Sequence, residues 1–140
     1  MRGNKFNLDL MEYFSTTCCK RKRRDTQPLP ALERYLSRRI RFVWQESRRL
    51  NKPLLILSGK YGLLDPREKI SWYDQALLST EVDKLTPEIT KQLSARRVSG
   101  LIFYARSRNT HGWRPYYEAI ENACAHVGIK LRFKIMRGFI

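Results

Sequence analysis

The sequence predicts an α/β, three-layer domain with a largely parallel four-stranded sheet flanked by helices. Two patterns carry that prediction. Short apolar runs alternate along the chain with stretches whose apolar residues recur at helical spacing, and successive parallel strands need crossover helices between them. The two central runs, Leu54-Leu55-Ile56-Leu57 and Leu101-Ile102-Phe103-Tyr104, are apolar without alternation, as suits strands covered on both faces. A chain of 140 residues with 42% hydrophobic side chains is large and apolar enough for one buried core, which excludes general disorder. Residues 1–140 therefore read as one α/β domain, with 1–10 a candidate flexible segment and 20–30 a basic loop.

The elements follow in order. Met11 to Thr17 is the first strand. After Pro28 and Pro30, a helix is expected from Ala31 to Leu50, because Leu32, Leu36, Ile40, Val43 and Leu50 fall on one stripe. Arg34, Arg38, Arg41 and Arg48 lie on the opposite side of that helix. Pro53 to Leu57 is the second strand. Thr86-Pro87 predicts a helix to about Leu93, with Thr86 as N-cap and Pro87 in its first position. Leu101 to Ala105 is the third strand. A helix from Pro115 to Gly128 buries Tyr116 or Tyr117, Ile120, Cys124 and Val127. Ile129 to Met136 alternates apolar residues with Lys130, Arg132 and Lys134, which marks an edge strand with one wet face.

In such sheets ligands lie beyond the carboxyl ends of the strands. Three loops leave those ends, Cys18 to Gln27, Ser58 to Pro66 and Arg106 to Gly112, and should share one rim.

Lys and Arg number 28 against 13 Asp and Glu, a formal charge of +15, so a polyanion is the expected partner. The excess is segregated: residues 20–52 carry twelve basic and three acidic side chains, and 101–140 carry seven and two. No stretch approaches the roughly 20 apolar residues that span a bilayer, and the start has no apolar signal region. A cytoplasmic protein without a membrane partner is expected. The three cysteines, with Cys18 and Cys19 adjacent, match neither a disulfide framework nor a zinc-site spacing, so neither a metal nor a cofactor is expected. Nothing in the sequence fixes the oligomeric state.

The first loop places Cys18, Cys19, Lys20, Arg21 and Lys22 directly after a buried strand. These groups could grip a phosphate, or form only a solvated basic connection. Neighbouring cations favour a thiolate, so Cys18 or Cys19 could be a nucleophile, against the alternative of a buried inert thiol. In the second loop, small Ser58 and Gly59 permit close backbone approach, Gly62 suits positive φ, and Lys60 and Tyr61 bring a cation and a ring. The phosphate-cradling spacing of a P-loop is absent. Asp65 shapes the turn before Pro66. The third loop combines Arg106, Arg108 and Arg114 with Trp113, a composition fit for phosphate contact and base stacking, and His111 could act as acid or base. His126, inside a helix, reads as structural. Asp74 could position a lysine, bind a base edge or move a proton, or merely pair with a cation.

Thr17-Cys18-Cys19-Lys20-x-Lys22, Leu57-Ser58-Gly59-Lys60-Tyr61-Gly62-Leu63, Pro66 and Tyr73-Asp74 resemble the signature of small bacterial and phage proteins of unknown function. That signature is similar in turn to part of the peroxide-stress protein YaaA family, with a weaker likeness to the carboxyl-terminal part of archaeosine synthase. The likeness spans about residues 11 to 75. It implies an α/β core, association with DNA, and a shared pocket lined by Cys18, Lys20, Ser58, Tyr61, Gly62, Tyr73 and Asp74. Cys19 stands where the family usually has serine, and the family's helix-hairpin-helix region has no counterpart here.

The leading expectation is a nucleic-acid-binding protein, DNA before RNA, whose footprint is Lys20, Arg21, Lys22, Arg23, Arg24, Arg34, Arg38, Arg41, Arg106, Arg108 and Arg114 beside a strand-end pocket. The alternative is an enzyme acting on a nucleobase, nucleotide or nucleic acid, with Asp74, Cys18, Lys20 and Tyr61 as candidate catalytic residues and Ser58, Gly59, Lys60, Gly62, Tyr73 and His111 around them. A basic subunit docking to an acidic protein or to ribosomal RNA is a third possibility.

Overall fold

The computed structural model describes residues 11–138, so the candidate flexible segment 1–10 lies outside the described residues. The four expected strands are present: β1 (Met11–Thr17), β3 (Leu54–Ser58), β6 (Val98–Ala105) and β7 (Lys130–Ile135). They lie side by side in the order β3-β1-β6-β7, and every adjacent pair is parallel. Thr17 pairs with Leu57, Ser15 with Phe103, and Ala105 with Ile135, so all four carboxyl ends open on one edge. A fifth strand, β4 (Gly62–Leu64), turns back antiparallel beside β3, a hairpin within the expected second loop. A separate pair joins β2 (Leu29–Pro30) to β5 (Lys69–Ile70).

β3 is buried throughout, as its unbroken apolar sequence requires, and in the run Leu101 to Tyr104 of β6 only Ile102 is half-buried. β7 lies at the edge, with Lys130, Arg132 and Lys134 exposed or nearly so and Leu131 and Phe133 half-buried. Helix α2 (Arg38–Arg49) packs on β1 and β3, while α3 (Val82–Ala95) and α4 (Arg114–Val127) pack on each other. Right-handed crossovers from β1 leftward to β3 and from β6 rightward to β7 put α2 and α4 on opposite faces, which gives the three layers. No helix among the described residues is long and apolar enough to cross a membrane.

Two helices differ from expectation. The predicted helix from Ala31 to Leu50 is broken into a single turn, α1 (Ala31–Arg34), and α2, because Tyr35 and Ser37 are extended. The break lets the backbone of residues 34–36 pair with the basic tract. The Arg23 N–H donates to the Arg34 carbonyl at 2.8 Å and the Leu36 N–H to the Arg21 carbonyl at 2.9 Å. Ser37 then caps α2, its Oγ accepting from the Ile40 N–H at 3.1 Å, an interaction typically worth about 1 kcal/mol. Ile40 and Val43 are buried as expected, but the break and the helix end leave Leu36 and Leu50 exposed.

The second departure is α3, which starts at Val82 rather than Thr86. Thr86 is no cap: its hydroxyl donates to the Val82 carbonyl one turn back, at 2.8 Å. Pro87 lies inside the helix and supplies no N–H to the carbonyl of Asp83. Helix α4 follows expectation, with Pro115 in its first turn and Gly128 closing it at φ +81°. It buries Tyr116, Tyr117, Ile120 and Cys124.

Candidate nucleic-acid interface

The basic loop is shaped from beneath by one arginine. Arg34 is fully buried, and its guanidinium donates to the carbonyls of Arg23 (2.6 Å), Asp25 (3.1 Å), Gln27 (2.8 Å) and Ile70 (3.1 Å). A planar fork of five N–H donors suits such a set of carbonyls, whereas an ammonium on a flexible stem does not. Helical periodicity places Arg34 on the outer, nucleic-acid-facing stripe, and the structure corrects this. Once the helix breaks at Tyr35, its turn rotates independently of α2 and the side chain points inward.

A second buried arginine, absent from the sequence-level set, fixes the start of the same loop. Arg39 donates to Thr16 Oγ1, to the Thr17 carbonyl at 3.0 Å and to the Cys18 carbonyl at 3.2 Å. Thr16 Oγ1 in turn donates to the Tyr104 carbonyl at 2.9 Å, tying the ends of β1 and β6. Burial lowers the Arg39 pKa, yet arginine keeps its charge at any physiological pH. Its guanidinium faces the Trp113 ring at 4.9 Å, so Trp113 from the third loop covers Arg39. The signal was legible: Arg39 falls on the same helix face as Ile40 and Val43.

Between these arginines lies a packed cluster of hydroxyls and a thiol. Ser58 Oγ accepts the N–H groups of Lys60 and Tyr61, both at 3.0 Å, and so closes the turn after β3. Both lone pairs are then occupied, so the Ser58 hydroxyl donates to Tyr73 OH at 2.9 Å. Tyr73, already an acceptor there, hydrogen-bonds Tyr35 OH. Beside them Cys18 Sγ meets Tyr116 OH at 3.6 Å, and that hydroxyl accepts the Leu77 N–H at 3.1 Å. Gly59 is required here, because a Cβ would come within 2.8 Å of Leu77 N and 3.0 Å of Tyr116 OH. Gly62 has φ +75° and faces the Gln92 carboxamide, which accepts from Leu63 N at 2.6 Å and donates to the Tyr61 carbonyl at 3.0 Å.

Burial pushes the phenols of Tyr35, Tyr73 and Tyr116 above their ordinary values, so these groups stay protonated. Burial, with Cys18 close by, pushes the Cys19 thiol up to about 11. Cys19 is thus a neutral thiol, hydrogen-bonded to the Arg21 carbonyl at 3.0 Å, and not a thiolate.

The structure therefore brings Cys18, Ser58, Gly59 and Tyr73 together, joined by Tyr35 and Tyr116, but as a filled, hydrogen-bonded cluster. Tyr61 is half-buried at its margin, edge-to-face with Tyr73 at 5.5 Å. Lys20, Lys60, Asp74 and His111 are exposed, and Asp74 makes no ion pair or hydrogen bond among the described residues. Asp65 does shape its turn, accepting the Arg67 N–H at 2.9 Å. Two surface grooves lie away from the cluster, one lined by Thr86, Thr90, Asn122 and His126 from α3 and α4, the other by Met11, Trp44 and Pro53.

The basic residues divide into two groups. Lys20, Arg21, Arg24, Arg38, Arg41 and Arg114 are exposed and form no ion pair among the described residues. Arg23 is held by Asp25 at 2.8 Å and by Glu33, and Arg108 is held by Glu121 at 2.6 Å. Lys22 is half-buried over the Tyr73 ring and Arg106 is half-buried beyond β6.

No curated protein and no solved structure matches the chain. A family model does match residues 16–136, from within β1 to just past β7, so the span holds the whole cluster and both buried arginines. The chain accordingly belongs to the Family of unknown function (DUF6884).

Proposed function

We propose that the chain binds nucleic acid, DNA or RNA, along its basic loop and the outer face of α2. The observation that carries this reading is the set Lys20, Arg21, Arg24, Arg38 and Arg41. These side chains project without acidic partners among the described residues, Lys20, Arg21 and Arg24 from a loop that the two buried arginines brace and Arg38 and Arg41 from helix α2. Cations left unneutralised on a rigid base face a small entropy cost on meeting phosphates. The likeness of the Ser58 to Leu63 turn to the YaaA family supports DNA as the first ligand to try. Fluorescence anisotropy with a labelled oligonucleotide across a salt series tests the proposal. If about six phosphates are neutralised, the slope of log affinity on log salt is near −5. An affinity indifferent to salt would overturn it.

A second reading, an enzyme acting on a nucleobase, nucleotide or nucleic acid, draws on the concentration of Cys18, Ser58, Tyr35, Tyr73 and Tyr116 hydroxyl and thiol groups at the strand ends. Exposed Asp74, Lys20 and Tyr61 would then act around that cluster. Asp74→Asn would abolish turnover while preserving oligonucleotide affinity. Equal loss of both would leave the binding reading alone.

A further inference from the structure

Three cation–aromatic pairs join the basic loop, the turn after β3 and the segment after β5. The Arg24 guanidinium lies 5.1 Å from the Trp72 centroid, Lys22 Nζ 4.5 Å from that of Tyr73, and Lys60 Nζ 5.2 Å from that of Tyr61. Tyr61 and Tyr73 meet edge-to-face at 5.5 Å, with Tyr61 half-buried and Tyr73 buried, so Trp72 is the ring of the three that lies open to a ligand. Trp72 is 39% exposed, although an indole of that size is usually well covered. It does not ride on a free loop. Arg34 grips the carbonyls of Arg23 and Asp25 beside Arg24, and that of Ile70 just before Trp72.

Phosphate binding alone needs no aromatic ring, and a base stacked within a duplex cannot lie flat on an indole. We infer that Trp72, with Arg24 beside its ring, is a stacking site for an unpaired base, and that the preferred ligand is single-stranded nucleic acid. This rests on the nucleic-acid reading above and names its substrate class. Trp113, the stacking candidate in the sequence, is half-buried over the guanidinium of Arg39, which is itself buried, and presents less open ring than Trp72.

The test uses the full chain, a fluorescein-labelled 12-nucleotide single strand, the same strand in duplex, and polyphosphate as a base-free polyanion. At one salt concentration the single strand binds about tenfold tighter than the duplex. Trp72→Ala weakens single-strand binding about tenfold, as loss of one stacked base does, and leaves duplex affinity and the salt slope unchanged. Trp72→Phe retains most of the affinity, which guards against a misfolded alanine variant. In the unaltered protein, the single strand quenches tryptophan emission and polyphosphate does not. Equal affinity for strand and duplex, equal quenching by polyphosphate, or a Trp72→Ala loss shared by both oligonucleotides would overturn the inference while leaving the binding function intact. Failure to bind either oligonucleotide would overturn both.

Discussion

Arg34 and Ile70 are joined by a guanidinium-to-carbonyl hydrogen bond of 3.1 Å, and this bond ties the basic loop to the segment that carries Trp72 and Tyr73. The rest of the fork grips the loop itself, so one side chain sets the spacing between the exposed cations and the exposed ring. The buried guanidinium is compensated by carbonyl dipoles and not by a carboxylate, so the positive charge remains part of the field on this face.

Arg34→Met tests that relationship. It keeps much of the length but removes every donor, leaving the carbonyls of Arg23, Asp25, Gln27 and Ile70 to find water. Each buried group left unpaired costs about 1–3 kcal/mol, so a loss of about 3 kcal/mol is expected in urea unfolding, reduced if water enters. Oligonucleotide affinity falls as well, although Arg34 itself is inaccessible. An unchanged affinity would show that loop shape does not matter to binding.

Gly62→Ala tests the hairpin that the sequence did not reveal. Its φ of +75° disfavours a side chain, and an added Cβ would lie 2.5 Å from Gln92 Oε1. The strain and the displaced carboxamide together cost about 1–2 kcal/mol. Gln92→Ala removes the clamp on Tyr61 and Leu63, so the double variant is less destabilised than the sum of the single ones. Additive losses in thermal or urea unfolding would mean that Gly62 and Gln92 do not act on one another.

The sheet was legible because its information is local: runs such as Leu54 to Leu57 and Leu101 to Tyr104 state their own burial. The carboxyl-edge rim followed from strand direction alone, and Cys18, Ser58, Gly59 and Tyr73 do meet there. Arg39 could have been read from its place among Ile40 and Val43. Arg34 could not, since its inward turn depends on the pairing of residues 21–23 with 34–36, which no helical periodicity anticipates. The same holds for Tyr35, Tyr116 and Gln92, whose partners are 29 to 98 residues away. Asp74 stands out by residue type, and type does not determine partners.

Alkaline pH should destabilise the fold. Unfolded thiols ionise near the ordinary value of 9.0, whereas burial holds Cys19 protonated to about 11 and Cys124 to about 12. Above pH 9 the unfolded chain therefore binds fewer protons than the folded one, so stability falls as pH rises through that window. Buried Tyr35, Tyr73 and Tyr116, also shifted upward by burial, add to the same slope. Urea midpoints measured from about pH 7 to about pH 10.5 should hold level until about pH 8.5 and then decline, less steeply in Cys124→Ala. A level profile across that whole range would contradict the assignment of these groups as buried and neutral.

The exposed and the paired arginines should separate by function. Arg41 has no acidic partner among the described residues, and removing a cation that neutralises one phosphate lowers the salt slope by about 0.9. Arg108 is engaged by both Glu121 oxygens, at 2.6 and 2.8 Å, and lies over the Tyr117 ring at 4.8 Å. To reach a phosphate it would have to leave a bidentate carboxylate, so its net contribution to binding is small. Arg41→Ala and Arg38→Ala are thus expected to weaken oligonucleotide binding and flatten the salt slope while leaving unfolding unchanged within about 0.5 kcal/mol. Arg108→Ala should do the reverse, with little effect on the slope and a stability loss of about 1 kcal/mol or less, as befits a partly exposed pair. Equal slopes for Arg41→Ala and Arg108→Ala would mean that the phosphate path follows total charge and not the cations the fold leaves unpaired.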